Sequence, residues 1–243
     1  MKFIACCKFF AAVLAFTSLC ATADDQTTIK LGGPDGVQTT EGPSTVSVAM
    51  MDDCNFTMQL LKNQHIQYNN PDAIFYDSSK KESSNRLPYL WQAPMSSGYN
   101  WNFKTQYHLD LKWFGLMCEN IEDFYWSIDK NSLDKQTSES QQIMEDNSER
   151  CPADYKNGKF TFSGKEKNTI FRPISHDQWR GFIYGNPSKH DHSKLVYAGF
   201  CLIHKDKVIV GNMGDPDKEL NVPISFLDEI SNALSTLQFI DKQ

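Results

Sequence analysis

The sequence predicts an α+β fold, a mostly antiparallel β-sheet of six to nine strands with a C-terminal helix packed on one face. Three stretches carry that prediction. Trp101–Met117 alternates so that Trp101, Phe103, Tyr107 and Trp113 share one face, with Lys104, Gln106, His108, Asp110 and Lys112 on the other. A period of two is that of a strand, and a helix would scatter the rings around its circumference. From Lys159 onward, short apolar runs are divided by turn residues, as hairpins are. Near the end, Phe226, Leu227, Ile230, Leu234 and Leu237 recur at helical spacing.

Residues 1–23 read as a secretion signal cleaved after Ala23. Met1-Lys2 supplies a positive start, Ile4 to Cys20 is mostly apolar, and Ala21-Thr22-Ala23 is a small-x-small site. The apolar run after Lys8 is too short to cross roughly 30 Å of hydrocarbon as a helix. Leu19 before Cys20 argues against a lipid anchor, and no later stretch reaches transmembrane length. The expected organisation is a flexible leader over 24–43, then one α+β domain over 44–243. That domain carries a long exposed loop at 130–153, with one helical turn near Gln141–Met144. Removing Lys2 and Lys8 takes the formal net charge from −6 to −8. So acidic a chain lacks the cationic surface that nucleic acid requires. Periplasmic or secreted localisation follows from the signal.

The elements follow in order. Ser44–Met50 predicts a first strand and Thr57–Gln64 a short helix. Residues 69–100 are rich in turn residues, with short strands at Ala73–Tyr76 and Leu87–Trp91. The Trp101–Met117 strand comes next; at about 3.3 Å per residue it is too long to stay straight, which predicts a bend near Gly115 or a break before it. Ile121–Ile128 fits strand and helix equally. Lys159–Phe162 and Thr169–Arg172 predict a hairpin, and Gln178–Tyr184 a further strand. Leu195–His204 is apolar on both faces, as a central strand is. Lys205-Asp206 turns it into Lys207–Gly211. Ser225 and Asp228 resemble a capping box, and Gln238–Ile240 predicts an edge strand.

Cys6, Cys7 and Cys20 fall in the signal, leaving Cys54, Cys118, Cys151 and Cys201. An even number in an exported chain predicts disulfides, and four cysteines allow three connectivities. One candidate pair is Cys118–Cys151, which would close the polar segment between them.

Candidate chemistry is sparse. His190 and His192 would point the same way on an extended backbone, which suits two ligands of one metal, with His176, Asp177 or His204 as a third. Lys189 and Lys194 beside them favour a solvated loop instead. Gly214–Glu219 alternates carboxylates as a calcium loop does, yet lacks the glycine of an EF-hand and reads as a turn. Asn55-Phe56-Thr57 is a glycosylation acceptor by pattern. No serine elbow, zinc helix motif or phosphate-cradling loop is present, and no cofactor is implied. Tyr125, Trp126 and Trp179, with His108 and Asp110 of the long strand, are the candidate binding residues.

Gly199-Phe200-Cys201-Leu202, the hairpin ending at Gly211, and the helix running into Leu237-Gln238-Phe239 resemble small exported bacterial proteins. Some of those are immunity proteins against toxins delivered by type VI secretion. The helix leading into a Phe-containing strand is also similar to PsbP-like sandwich proteins. The likeness covers residues 195–241 and transfers no functional residue. The likeness favours a binder, and the signal, the absence of a framed catalytic set, the acidic charge and the spare aromatics together lead to the same expectation: an exported, non-enzymatic binding protein whose partner is a protein, a basic toxin or enzyme that acidic charge would steer. The alternatives are a secreted metal-dependent hydrolase using His190 and His192, and a eukaryotic secreted or surface protein.

Overall fold

The computed structural model describes residues 28–34, 36–50, 54–93, 100–106, 111–127, 137–214, 220 and 222–241. The signal segment, His108, Asp110, residues 130–136 and most of the Gly214–Glu219 turn lie outside the described residues. In chain order the strands before the first helix are β1 (Thr28–Gly32), β2 (Gln38–Glu41), β3 (Ser44–Ala49), β4 (Asn55–Leu60), β5 (Gln64–Tyr68), β6 (Ala73–Asp77), β7 (Tyr89–Ala93), β8 (Asn100–Lys104) and β9 (Lys112–Asn120). Helix α1 (Ser138–Arg150) follows. Then come β10 (Ala153–Lys156), β11 (Lys159–Phe162), β12 (Ile170–Ser175), β13 (Arg180–Pro187), β14 (Lys194–His204), β15 (Lys207–Met213), β16 (Val222–Pro223), α2 (Phe226–Leu234) and β17 (Gln238–Phe239).

Among the described residues the fold is mostly antiparallel sheet with two α-helices, one of them C-terminal. The main sheet runs β12-β13-β14-β15-β9-β6-β5-β2, and β16 pairs with β14. A smaller sheet runs β1-β3-β4-β17, in which β1 and β3 are parallel. Its alternation shows one covered face: Phe56, Met58 and Leu60 are buried, with Asn55, Thr57 and Gln59 between them outside the core. The centre of the main sheet differs. Residues 198–203 of β14 and 208–213 of β15 are buried without a break, as strands covered on both faces are. Cys54–Cys118 joins the small sheet to β9, and Cys151–Cys201 joins the end of α1 to β14. The expected Cys118–Cys151 pair is therefore corrected.

The Trp101–Met117 stretch is two strands in two sheets. Among the described residues β8 pairs only with β7, while β9 lies between β15 and β6. β8 ends at Lys104 and β9 begins at Lys112, so the break falls before Gly115, and the rings of β8 lie against β9. The Phe103 ring occupies the space where a Cβ on Gly115 would sit, 2.3 Å from that position, so only glycine admits it. Phe103 meets Trp101 edge-on at 5.9 Å and Trp113 at 6.4 Å. The aromatic face is core.

Other expectations change as well. Within the presumed leader, β1 and β2 are ordered strands, and the Gln38 amide both accepts from Gly32 N and donates to Gly32 O at 3.0 Å. Thr57–Gln64 is not a helix: β4 and β5 occupy it. The loop expected at 130–153 contains the 13-residue α1. β11 pairs with β10 rather than β12, across Asn157 and Gly158 with φ of 52° and 78°. That is the Asn-Gly two-residue hairpin turn. Ser225 makes no side-chain cap bond; Asp228 instead pairs with Arg172, and Glu229 with Lys112 at 2.6 Å.

Beneath β5 lies a polar network. Thr39 and Ser84 donate to Gln67, whose amide donates to Asn69, which donates to Asp72 at 2.8 Å. Asp72 is 4% exposed, and burial raises its carboxyl pKa. A raised folded pKa gives stability that is full at acid pH and is lost as pH rises through that pKa. Asp72→Asn should therefore be more stable than the native protein at about pH 7, with the gain vanishing near about pH 3. Urea unfolding at the two pH values measures this; a loss at neutral pH would contradict it.

Candidate functional site: an acidic cleft beside α1

Helix α1 begins where Thr137 accepts a hydrogen bond from Ser140 N at 3.1 Å, an N-cap geometry. Glu139 in its first turn and Arg150 in its last suit the helix dipole. Its buried residues are Met144, Asn147 and Arg150. The Arg150 guanidinium stacks 4.3 Å from the Trp101 ring centroid. It donates to Trp101 O at 3.1 Å, Asn147 Oδ1 at 2.9 Å and Asn100 Oδ1 at 3.0 Å. Asn147 donates in turn to Asp123 O at 3.1 Å. Tyr184 donates to Arg150 O at 2.7 Å, one residue before the Cys151–Cys201 bond. The end of α1 is thus tied to β8, β13 and β14.

With one side of α1 so held, its other residues line two adjoining clefts. The larger, about 580 Å³, is bounded by Glu145 and Glu149 of α1 and by Phe162, Lys165 and Glu166 at and after β11. Tyr184 and Asn186 of β13 and Tyr197 of β14 complete it. The smaller, about 290 Å³, is lined by Asn100, Asn102, Asp146 and Arg150, and shares Glu149 and Tyr197 with the first.

Four carboxylates thus face two cations, and Arg150 is already committed to the wall. Among the described residues, no ion pair involves Glu145, Glu149 or Glu166. Asp146 Oδ1 accepts from Gln142 at 3.1 Å, while its Oδ2 is shielded from solvent and has no donor among them. Asn212 is 1% exposed, with Oδ1 equally unpartnered, on the strand beside Tyr197's. Burial pushes the phenols of Tyr184 and Tyr197 up, so both stay neutral hydrogen-bonding groups at neutral pH. The arrangement offers carboxylate acceptors and aromatic faces, with more negative than positive side chains.

The chain matches no family model, no curated protein and no solved structure.

The residues singled out from sequence scatter. Tyr125 is 37% exposed; burial and the charge of Glu145 raise its pKa, which places it beside α1's acidic residues. Trp126 is spent on packing, stacked on Phe124 at 4.6 Å and donating to Ala153 O at 2.6 Å. Trp179 is buried and donates to Leu237 O at 2.9 Å. His190 and His192 lie in an exposed loop, where Asp191 is held by Ser193 and Lys194. Among the described residues, no three His, Cys, Asp or Glu side chains gather as a metal site. His204 is used elsewhere, between Gln178 O at 2.7 Å and Asp241 at 3.0 Å. Glu145, Asp146, Glu149, Glu166, Tyr184 and Tyr197 were not picked out from sequence. The available signal was Glu145 and Glu149 at a spacing of four, which shares a face only once a helix is assigned.

Proposed function

We propose that this is an exported, non-enzymatic binding protein whose partner is a protein with a basic surface. Inhibition of a secreted antibacterial toxin, as immunity proteins perform it, is the most concrete form of that reading. The observation that carries it is the cleft beside α1: carboxylates that outnumber the cations and, for Glu145, Glu149 and Glu166, enter no ion pair among the described residues, on walls held by a disulfide and by Arg150. An acidic recess speeds encounter with a basic partner, and a wall tied by a disulfide costs less ordering on binding. Two disulfides are compatible with an oxidising compartment, hence with a periplasmic or secreted location. Among the described residues, no helix is long and apolar enough to cross a membrane. The metal-dependent hydrolase reading draws no support from the surroundings of His190 and His192.

Co-culture tests the proposal. A strain lacking the gene should be outcompeted by its parent, and the native gene should restore it. A Glu145→Lys, Glu149→Lys double variant should fail to restore it while folding normally, because both positions are exposed. A deletion strain no more sensitive to sibling cells, with no partner recovered by the purified protein, would refute the reading.

A further inference from the structure

We infer that the larger cleft receives an arginine side chain presented by the partner, its guanidinium held by Glu149 and Glu166 and flanked by Tyr197 and Phe162. This rests on the protein-binding reading above and specifies the group that reading leaves open. Charge comes first. Glu145, Glu149 and Glu166 line the recess with Lys165 as its one cation among the described residues, so an anionic ligand is repelled and a cation attracted. Hydrogen-bonding capacity comes second. The carboxylates of Glu145, Glu149 and Glu166 line the recess and enter no ion pair among the described residues, so their acceptor oxygens are open to a donor-rich cation. A guanidinium carries five N–H donors and no acceptor. Shape comes third. The lining combines carboxylates with the rings of Phe162, Tyr184 and Tyr197, and a planar cation can stack on a ring while it forks onto a carboxylate. A compact ammonium does not do both.

The adjoining cleft holds an internal precedent. Arg150 stacks on Trp101 there and satisfies its donors on three oxygens. The same face of the protein thus already accommodates one guanidinium by stacking and oxygen acceptors. At about 580 Å³ the larger cleft also has room for the backbone on either side of an inserted side chain.

The test uses the purified protein and three peptides, acetyl-Gly-Gly-Xaa-Gly-Gly-amide with Xaa arginine, citrulline or lysine, followed by amide chemical shifts. The arginine peptide should shift residues 145–149 and 162–166. Citrulline, nearly isosteric but neutral, should bind about tenfold more weakly, the loss of one charge-assisted pair. Glu149→Gln and Glu166→Gln should each weaken the arginine peptide about threefold to fivefold without lowering the melting temperature. Equal binding of citrulline, equal binding of lysine, or shifts confined to another surface would each overturn the assignment. If the arginine peptide does not bind the cleft but a partner is still captured and the strain still protected, the cleft assignment fails and the protein-binding reading stands. If the peptide binds but deletion neither sensitises the strain nor costs it a partner, the reading fails and the cleft's arginine preference stands.

Discussion

Replacing Arg150 with methionine should destabilise the protein by about 3–4 kcal/mol, because three acceptors lose a charged donor at a buried site. Arg150 is 4% exposed, and Asn147, which it anchors, is 1% exposed. Methionine preserves much of the volume, so the loss reports on the guanidinium's interactions, its bonds to Trp101 O, Asn147 Oδ1 and Asn100 Oδ1 and its stacking on Trp101 among them, rather than on a cavity. Arg150→Lys should recover only part of it, since an ammonium cannot span three divergent acceptors while stacked on an indole. Urea unfolding measures both variants. A loss under about 1 kcal/mol for methionine would mean that water replaces those bonds and that α1 is held by other contacts.

The second large effect concerns the bond beside it. Cys151→Ala with Cys201→Ala opens a link between residues 50 apart, which the chain-entropy relation values at about 4 kcal/mol. Removing Cys54–Cys118, which joins residues 64 apart, should cost a similar amount by the same relation. The two variants should differ in where they loosen. Losing Cys151–Cys201 frees the end of α1 from β14, so amide exchange at residues 145–150 should rise and binding at the cleft should weaken. Losing Cys54–Cys118 should speed exchange in β4 and leave α1 protected. Equal exchange at α1 in the two variants would show that Arg150 and Tyr184 suffice to hold the helix.

The candidate site was the least legible part of the chain. Helix α1 hides because two of the three side chains it buries are polar: beside Met144, Asn147 and Arg150 stand where a periodicity argument looks for leucine. Their partners, Asp123 O, Trp101 O and Asn100, lie 24 to 50 residues away, so no local window contains the reason for their burial. The hairpin of β10 and β11 was available locally, since Asn157-Gly158 is a strong two-residue turn signal. Trp126 and Trp179 looked like spare aromatics because sequence does not reveal that each indole N–H already has a buried carbonyl.

What the sequence by itself determined is what one strand or one turn can specify. Alternation marked the Ser44 and Trp101 segments, the unbroken apolar run of Leu195–His204 marked a central strand, and the 3.6-residue spacing after Ser225 marked α2. The antiparallel, strand-rich class with a C-terminal helix followed from those. Only the tertiary structure decided how the cysteines pair, that Trp101–Met117 divides between two sheets, and that α1's carboxylates converge beside Tyr197. The physical reason is the same in each case. Side-chain period is a property of a few consecutive residues, whereas a disulfide, a ring laid over Gly115 and the walls of a cleft join segments whose meeting depends on the whole topology.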